Sequence, residues 1–464
     1  MPNATFTFRS PMPASADALY AWHARPGAFE RLQPPWERTQ VVGTSGAFGT
    51  DGQRLEIRTN VFGPIKASWV AEMYDFRPGM QFRDRQVKGP FASWEHTHSF
   101  LADGPERSFL DERIEYRVPG GLLGRLFGGR LVRKRLEAMF RYRHALTASD
   151  LRRHAKLPAP LKVAVTGSRG LVGSDVVSFL LGGGHTITRL VSGEFGAPND
   201  GTAWVRWHPK GALDPDVLAG HDAVIHLAGD GIASGRWSAA KKAKILDSRA
   251  TPTRHLAEAI AALPEGQRPK VFVSASAVGV YGDRGDEVLT EDSPAGTGFL
   301  ADVCKAWESA AEPAARAGVR VVHPRIGVVL TPKGGALRPQ LLPFKMGAGA
   351  VLGGGKQWLP WITLNDLVGV LHECAVNGSL RGPVNACAPN PVTNREFTKT
   401  LGRVLRRPAF FWLPRFALRA MFGEVADAAM LASLRGVPSK LAAAGFAFDH
   451  PELEPALRFL LGKG

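Results

Sequence analysis

Cysteine is almost absent from this chain: 464 residues carry three, Cys304, Cys374 and Cys387. The number is odd, and the spacing suits neither a metal knuckle nor a disulfide framework, so a reducing, cytoplasmic setting is expected. No apolar run reaches the roughly 18 residues needed to span a bilayer. The first fifteen residues lack a basic segment followed by an apolar core, so no secretory signal is expected. The stretch Gly353-Gly354-Gly355-Lys356-Gln357-Trp358 lacks the phosphate-loop pattern and reads as a loop near a substrate site.

Acidic residues are outnumbered, 42 against 58 basic, which gives a net charge of +16. The excess is local. Between Arg117 and Lys156, eleven Lys or Arg face only Glu137 and Asp150. Nucleic-acid binding would need aromatic platforms among these charges or a recognition helix, and the segment has neither. Leu122, Leu123, Leu126 and Phe127 alternate with Arg125, Arg130, Arg133, Lys134 and Arg135. Such a segment either rests on an anionic membrane surface or packs its leucines inward and solvates its arginines, and the second is the expectation. A length of 464 residues exceeds one ordinary core, so two or three domains are expected.

Glycine is placed with purpose in the stretch Lys162 to Ser192. Lys162–Val165 alternates as a strand, and Thr166-Gly167-Ser168-Arg169-Gly170-Leu171-Val172-Gly173 sets three glycines at spacings of three before an apolar helix. A second strand follows at Ile187–Val191. The pyrophosphate of a dinucleotide approaches backbone N–H groups at such a helix N-terminus, where a Cβ would block it. Gly167 and Gly170 would open the turn, and Gly173 would bring helix and strand together. The second strand ends in Val191-Ser192-Gly193, without the acidic residue that binds the ribose of NAD, while Arg169 lies ready for a 2′-phosphate. NADP is therefore expected, with NAD left open. The run Ala223-Val224-Ile225-His226-Leu227-Ala228-Gly229 reads as a strand of a parallel sheet covered on both faces, and its small end would let the cofactor lie on the backbone. His226 there is expected to be packed. A helix over 238–262 and a strand at Val271–Ser274 follow.

These pieces, with Ser274-Ala275-Ser276-Ala277-Val278-Gly279-Val280-Tyr281-Gly282, Phe299 to Glu308, Trp361 to Leu367 and Pro391 to Phe397, resemble the extended short-chain dehydrogenase/reductases. The resemblance narrows to an atypical epimerase-like branch, sometimes described as a cell-division inhibitor, and covers residues 161–464. It implies a core over 161–408 and an appended helical segment over 409–464, carried by Leu413 to Phe416 and Gly445 to Phe448. It also implies a tyrosine followed four residues later by a lysine, the pair that moves a proton as hydride moves. Lys305 stands at the lysine position, where it would also hold the nicotinamide ribose, but Ala301 stands where the tyrosine belongs. Tyr281 is the nearest replacement, with Ser274 or Ser276 as partner; the alternative is a packed turn aromatic. The acidic run Asp283, Asp286, Glu287, Glu291 and Asp292 reads as a solvated loop, and Cys304 as a small packed hydrophobe.

Residues 1–157 read as a separate domain, joined through a short linker at 158–160. A strand at Thr5–Ser10 and a helix capped by Ser15 precede alternating strands over 55–62, 65–74, 80–87, 92–101 and 108–118, and a helix over 131–151 closes the segment. This order, with Tyr116 to Gly124, Phe140 to His144 and Asp150-Leu151, resembles the START-like helix-grip fold of polyketide cyclases and lipid carriers. The resemblance implies an apolar cavity for a small hydrophobic ligand, and a filled core is the alternative. The fold class expected for the whole is thus an α/β Rossmann-like doubly wound parallel sheet with a C-terminal helical segment, preceded by an α+β helix-grip domain. Two functions fit: an NADP-dependent reductase or epimerase whose substrate is held or delivered by the N-terminal domain, or a non-catalytic sensor of NADP(H) and a lipid-like ligand.

Overall fold

The computed structural model describes residues 3–37, 39–46, 49–62, 65–120, 128–194, 200–232 and 235–463. They fall into two compact units, one built on Met1–Pro158 and the other on Ala159–Leu180 with His185–Arg458. The basic, leucine-rich stretch 121–127 lies outside the described residues, and with it the question of membrane-surface contact.

The first unit is a seven-stranded antiparallel sheet of β1 (Ala4–Met12), β2 (Gln40–Ser45), β3 (Arg54–Phe62), β4 (Ile65–Arg77), β5 (Gln81–Lys88), β6 (Ser93–Ala102) and β7 (Ser108–Arg117). Their order is β1-β7-β6-β5-β4-β3-β2, a meander whose last strand meets the first. The period-two pattern makes the inner face legible: Trp94 and Phe100 on β6 and Leu110 and Ile114 on β7 are buried. β2 was not anticipated. Its residues are nearly all exposed, so it carries no alternation to read. Ser15 caps the helix Ala16–Ala24 by accepting from the Ala18 N–H at 3.2 Å, as expected.

The late helix runs Gly129–His154 and buries Leu136, Phe140, His144, Thr147 and Leu151, a stripe at helical spacing. It is anchored by Asp150, which takes two hydrogen bonds of 2.8 Å from Arg31 with both side chains buried. The interior of this unit is not the wholly apolar space expected. Two apolar clusters, one with Phe6, Ile114 and Phe140 and one with Met12, Phe82 and Phe100, are separate. On the sheet face between Trp94 and Phe100 stand His96 and His98, and Glu112 stands between Leu110 and Ile114.

The second unit contains a parallel sheet of β8 (Lys162–Thr166), β9 (Thr186–Val191), β10 (Ala203–Arg206), β11 (Ala223–His226), β12 (Val271–Ser274), β13 (Ser276–Ala277) and the strands Arg320–Ile326 and Gly382–Ala386. From β8 the chain first builds outward through β9 and β10, then returns to place β11 on the other side of β8. Strand order therefore reverses between β8 and β11, and the carboxyl ends of these two strands flank the crevice where ligands of open α/β sheets bind. Val163, Val165, Val224 and Ile225 are fully buried, as covered strands require. The C-terminal part is helical as expected at Arg415–Phe422, Ser439–Ala443 and Leu453–Leu461, but Phe411–Leu413 adds a strand beside Ala350–Leu352.

Candidate functional site

The glycine turn follows β8 directly, and each of its glycines meets a different demand. Gly167 has φ +66°, and a Cβ there would lie 2.7 Å from the Leu227 carbonyl carbon. Gly173, in the first turn of the helix Leu171–Gly182, would bring a Cβ to 2.2 Å from the Gly167 oxygen. Gly170 is less constrained, with its Cβ position 3.1 Å from the same oxygen. Ser168 is buried and its hydroxyl has no hydrogen-bond partner among the described residues. Leu171 and Val172 are half-buried at the helix start.

The ends of β8 and β11 are stitched together. Thr166 Oγ1 accepts from the N–H groups of Leu227 and Ala228 at 3.2 and 3.3 Å, so its proton goes to His226 Nδ1 at 2.6 Å. Burial pushes the His226 imidazole down to about 3, and it stays neutral. His226 is thus packed, as expected, and positions the strand end. Leu227 and Ala228 are half-buried and Gly229 is exposed, its Cβ position 3.3 Å from the Arg249 guanidinium carbon. Arg169 is exposed and donates to the Ser192 carbonyl at the end of β9, on the side where an adenosine ribose would lie. Ser192 and Glu194 are exposed as well. Ser274, at the end of β12, is fully buried with its hydroxyl unpaired among the described residues.

The three residues proposed for catalysis are not brought together at an open surface. Tyr281 is fully buried. Its hydroxyl accepts from Arg325 Nη1 at 2.9 Å and lies 2.8 Å from Asn385 Oδ1 and 2.9 Å from the Thr290 carbonyl. Burial pushes its pKa up, which further disfavours proton loss. Ser276 is buried and donates to Glu308 at 2.7 Å. Arg325 grips both Glu308 oxygens at 2.9 Å. Burial opposes ionisation of Glu308, but these bonds outweigh it and hold the carboxyl below its usual range. Lys305 alone faces solvent, paired with Asp302 at 2.7 Å on the helix Phe299–Ser309, while Ala301 one turn earlier is buried.

Glu308, Arg325 and Asn385 were missed in the sequence because they sit at unrelated positions in the chain and meet only through the sheet. The acidic run is an exposed loop at Asp283, Asp286, Glu287 and Asp292, as expected, and departs from that reading at Glu291. Glu291 is buried and accepts from the N–H groups of Asn385 and Lys440 at 3.0 and 3.2 Å, and Asp286 accepts from Trp358 Nε1 at 2.8 Å. Cys304 is packed, its thiol pushed up to about 11 by burial. Beyond the acidic run opens a cleft of about 1210 Å³, lined among others by Asp286, Gln357, Arg395, Phe411, Trp412 and Arg415.

A doubly wound parallel sheet with a glycine turn at its switch point defines a dinucleotide-binding α/β protein. Residues 163–385 match the NAD dependent epimerase/dehydratase family, residues 12–140 match polyketide cyclase / dehydrase and lipid transport proteins, and residues 413–460 match a domain of unknown function, DUF1731. An epimerase family protein of Mycobacterium bovis is 44% identical over 298 residues, 64% of this chain and 96% of that protein. The chain belongs to the NAD dependent epimerase/dehydratase family. The crystal structure of the nucleoside-diphosphate sugar epimerase from Corynebacterium glutamicum is similar over 98% of this chain and 90% of that one, at 31% identity and a TM-score of 0.77. The human epimerase family protein SDR39U1 (isoform 2), solved with NADPH, covers 65% of this chain and 99% of its own, at 32% identity and a TM-score of 0.58. No helix among the described residues is long and apolar enough to cross a membrane.

Proposed function

We propose that the protein binds NADP(H) at the Gly167–Gly173 turn and uses it as a reductase or epimerase on a small, largely apolar substrate. The observation that carries the cofactor assignment is the turn itself: Gly167 and Gly173 stand where any Cβ would collide with backbone. Ser168 and Ser274 offer buried, unspent hydroxyls at the same strand ends, and Arg169 offers an exposed guanidinium for a 2′-phosphate. The related human protein was solved with NADPH, which supports the phosphorylated cofactor. NAD remains the alternative occupant. Lys305 would hold the nicotinamide ribose. With Ala301 and a closed Tyr281, the proton for a reduced carbonyl has to come from solvent or from the substrate.

The cleft beside Arg395, Arg415, Phe411 and Trp412 suits a substrate with an apolar body and an anionic group. The N-terminal match to lipid-transport proteins supports a small hydrophobic ligand for the chain as a whole. A second reading, a non-catalytic NADP(H) sensor, is favoured by the missing Tyr at 301. The test is to incubate the NADPH-loaded protein with hydrophobic aldehydes and ketones and follow nicotinamide fluorescence. Steady oxidation of NADPH that falls at least tenfold in Lys305→Ala supports the enzyme; tight NADPH binding without turnover of any carbonyl leaves the sensor.

A further inference from the structure

The strongest unassigned chemistry in the molecule lies inside the first unit. Three neighbouring strands contribute it. His96 and His98 are two apart on β6 and so share the inner face, Asp84 on β5 is the register partner of His96, and Glu112 on β7 is that of His98. All four side chains are almost wholly withdrawn from solvent. They lie between two aromatic walls, with Phe82 stacked on His98 at 4.2 Å and Phe140 edge-on to His96 at 5.5 Å.

The two carboxylates treat the imidazoles differently. Glu112 is close to both: 2.8 Å from His96 Nε2 and 2.9 Å from His98 Nδ1. These are ordinary lengths for charge-assisted hydrogen bonds. Asp84 Oδ2 is farther from the opposite ring nitrogens, 3.1 Å from His96 Nδ1 and 3.3 Å from His98 Nε2. Those separations are long for charge-assisted hydrogen bonds, although His98 Nε2 and Asp84 are still within hydrogen-bond reach, and they match the ~3.3 Å between neighbouring ligand atoms bound at ~2.0–2.1 Å around a tetrahedral ion. The donor atoms of Asp84, His96 and His98 all fall within 4.8 Å of one another.

We propose that Asp84, His96 and His98 form a binding site for a divalent transition-metal ion of the zinc or ferrous-iron class. Glu112 holds both ligating rings from behind by accepting their outer N–H groups, which fixes the tautomer that turns a lone pair toward Asp84. One divalent ion would offset the charge of the two carboxylates when both imidazoles are neutral, and Arg143 is a further positive charge that acts on the same carboxylates. Two imidazole donors select against calcium and magnesium, which take oxygen ligands. A further imidazole lies next to Glu112. His144, on the late helix, is 3% exposed, has neither ring nitrogen hydrogen-bonded among the described residues, and turns Nε2 to 3.8 Å from Glu112. The interior thus holds a further unspent imidazole at the edge of the array. The site is independent of the nucleotide-binding reading, since every residue in it belongs to the first unit.

The test uses untagged full-length protein, stripped with a chelator and titrated with Zn²⁺ by calorimetry and with Co²⁺ by visible absorption. One ion per chain with sub-micromolar Kd is expected, with at least a 100-fold loss of affinity in the His96→Ala/His98→Ala double variant. Glu112→Gln, which touches the rings and not the ion, is expected to weaken binding 10- to 100-fold. No stoichiometric uptake of either ion, or an affinity unchanged in the double variant, would overturn the site. If the double variant melts early, X-ray absorption of Co²⁺-loaded wild type decides. A shell with two imidazole nitrogens and carboxylate oxygen supports the proposal, and one without imidazole overturns it.

Discussion

In the proposed cofactor site, Arg169 is the residue on which the choice between NADP and NAD would turn. Its guanidinium is exposed and held toward Ser192, and Val191-Ser192-Gly193 at the end of β9 carries no carboxylate. Arg169→Ala is therefore expected to weaken NADPH binding about tenfold or more while leaving NADH binding within about twofold, read by nicotinamide fluorescence. Tyr281 belongs to the scaffold. Tyr281→Phe strips a partner from Arg325 and from Asn385 and should cost about 1–3 kcal/mol in urea denaturation, with NADPH affinity unchanged. His226 supplies a pH dependence. Its folded pKa of about 3 lies below the ordinary 6.5, so the unfolded chain takes up the proton first. The stability it contributes is complete above pH 6.5 and is lost as pH falls from 6.5 toward 3. The fall in urea midpoint over that window should be shallower in His226→Asn than in wild type.

At the scale of elements, legibility followed how much geometry a local pattern dictates. The glycine turn was readable because each of its glycines answers a backbone demand set within one βαβ unit, and the long helix 129–154 was readable from its stripe. The sheet-edge strand β2 was not, because an exposed strand needs no alternation. The histidines of β6 were read only as strand residues, since His-x-His acquires meaning when Asp84 and Glu112 arrive beside it through strand pairing. The same holds for Glu308, which is coupled to Arg325 and Ser276 only by the parallel sheet. The helix Gly129–His154 depends on its anchor. Asp150→Ala takes from the buried Arg31 the carboxylate it grips with two hydrogen bonds, and should cost about 3–5 kcal/mol, checked by denaturant unfolding of the full chain.

At the scale of the whole molecule, a helix-grip-like unit and an epimerase-family unit are carried on one chain, and the second has the glycine turn proposed to cradle the cofactor, with Ala301 at the position read as that of the usual tyrosine. Cofactor binding is thus the central claim, because both the enzyme and the sensor require it. The most direct measurement is parallel titration of purified full-length protein with NADPH and NADH, set beside Gly173→Val. A Cβ at 173 would strike the Gly167 carbonyl, so the variant should lose binding of both nucleotides and about 1–3 kcal/mol of stability. Saturable NADPH binding, tighter than NADH and absent in Gly173→Val, is the predicted result. No binding of either nucleotide by the wild-type protein would contradict the account.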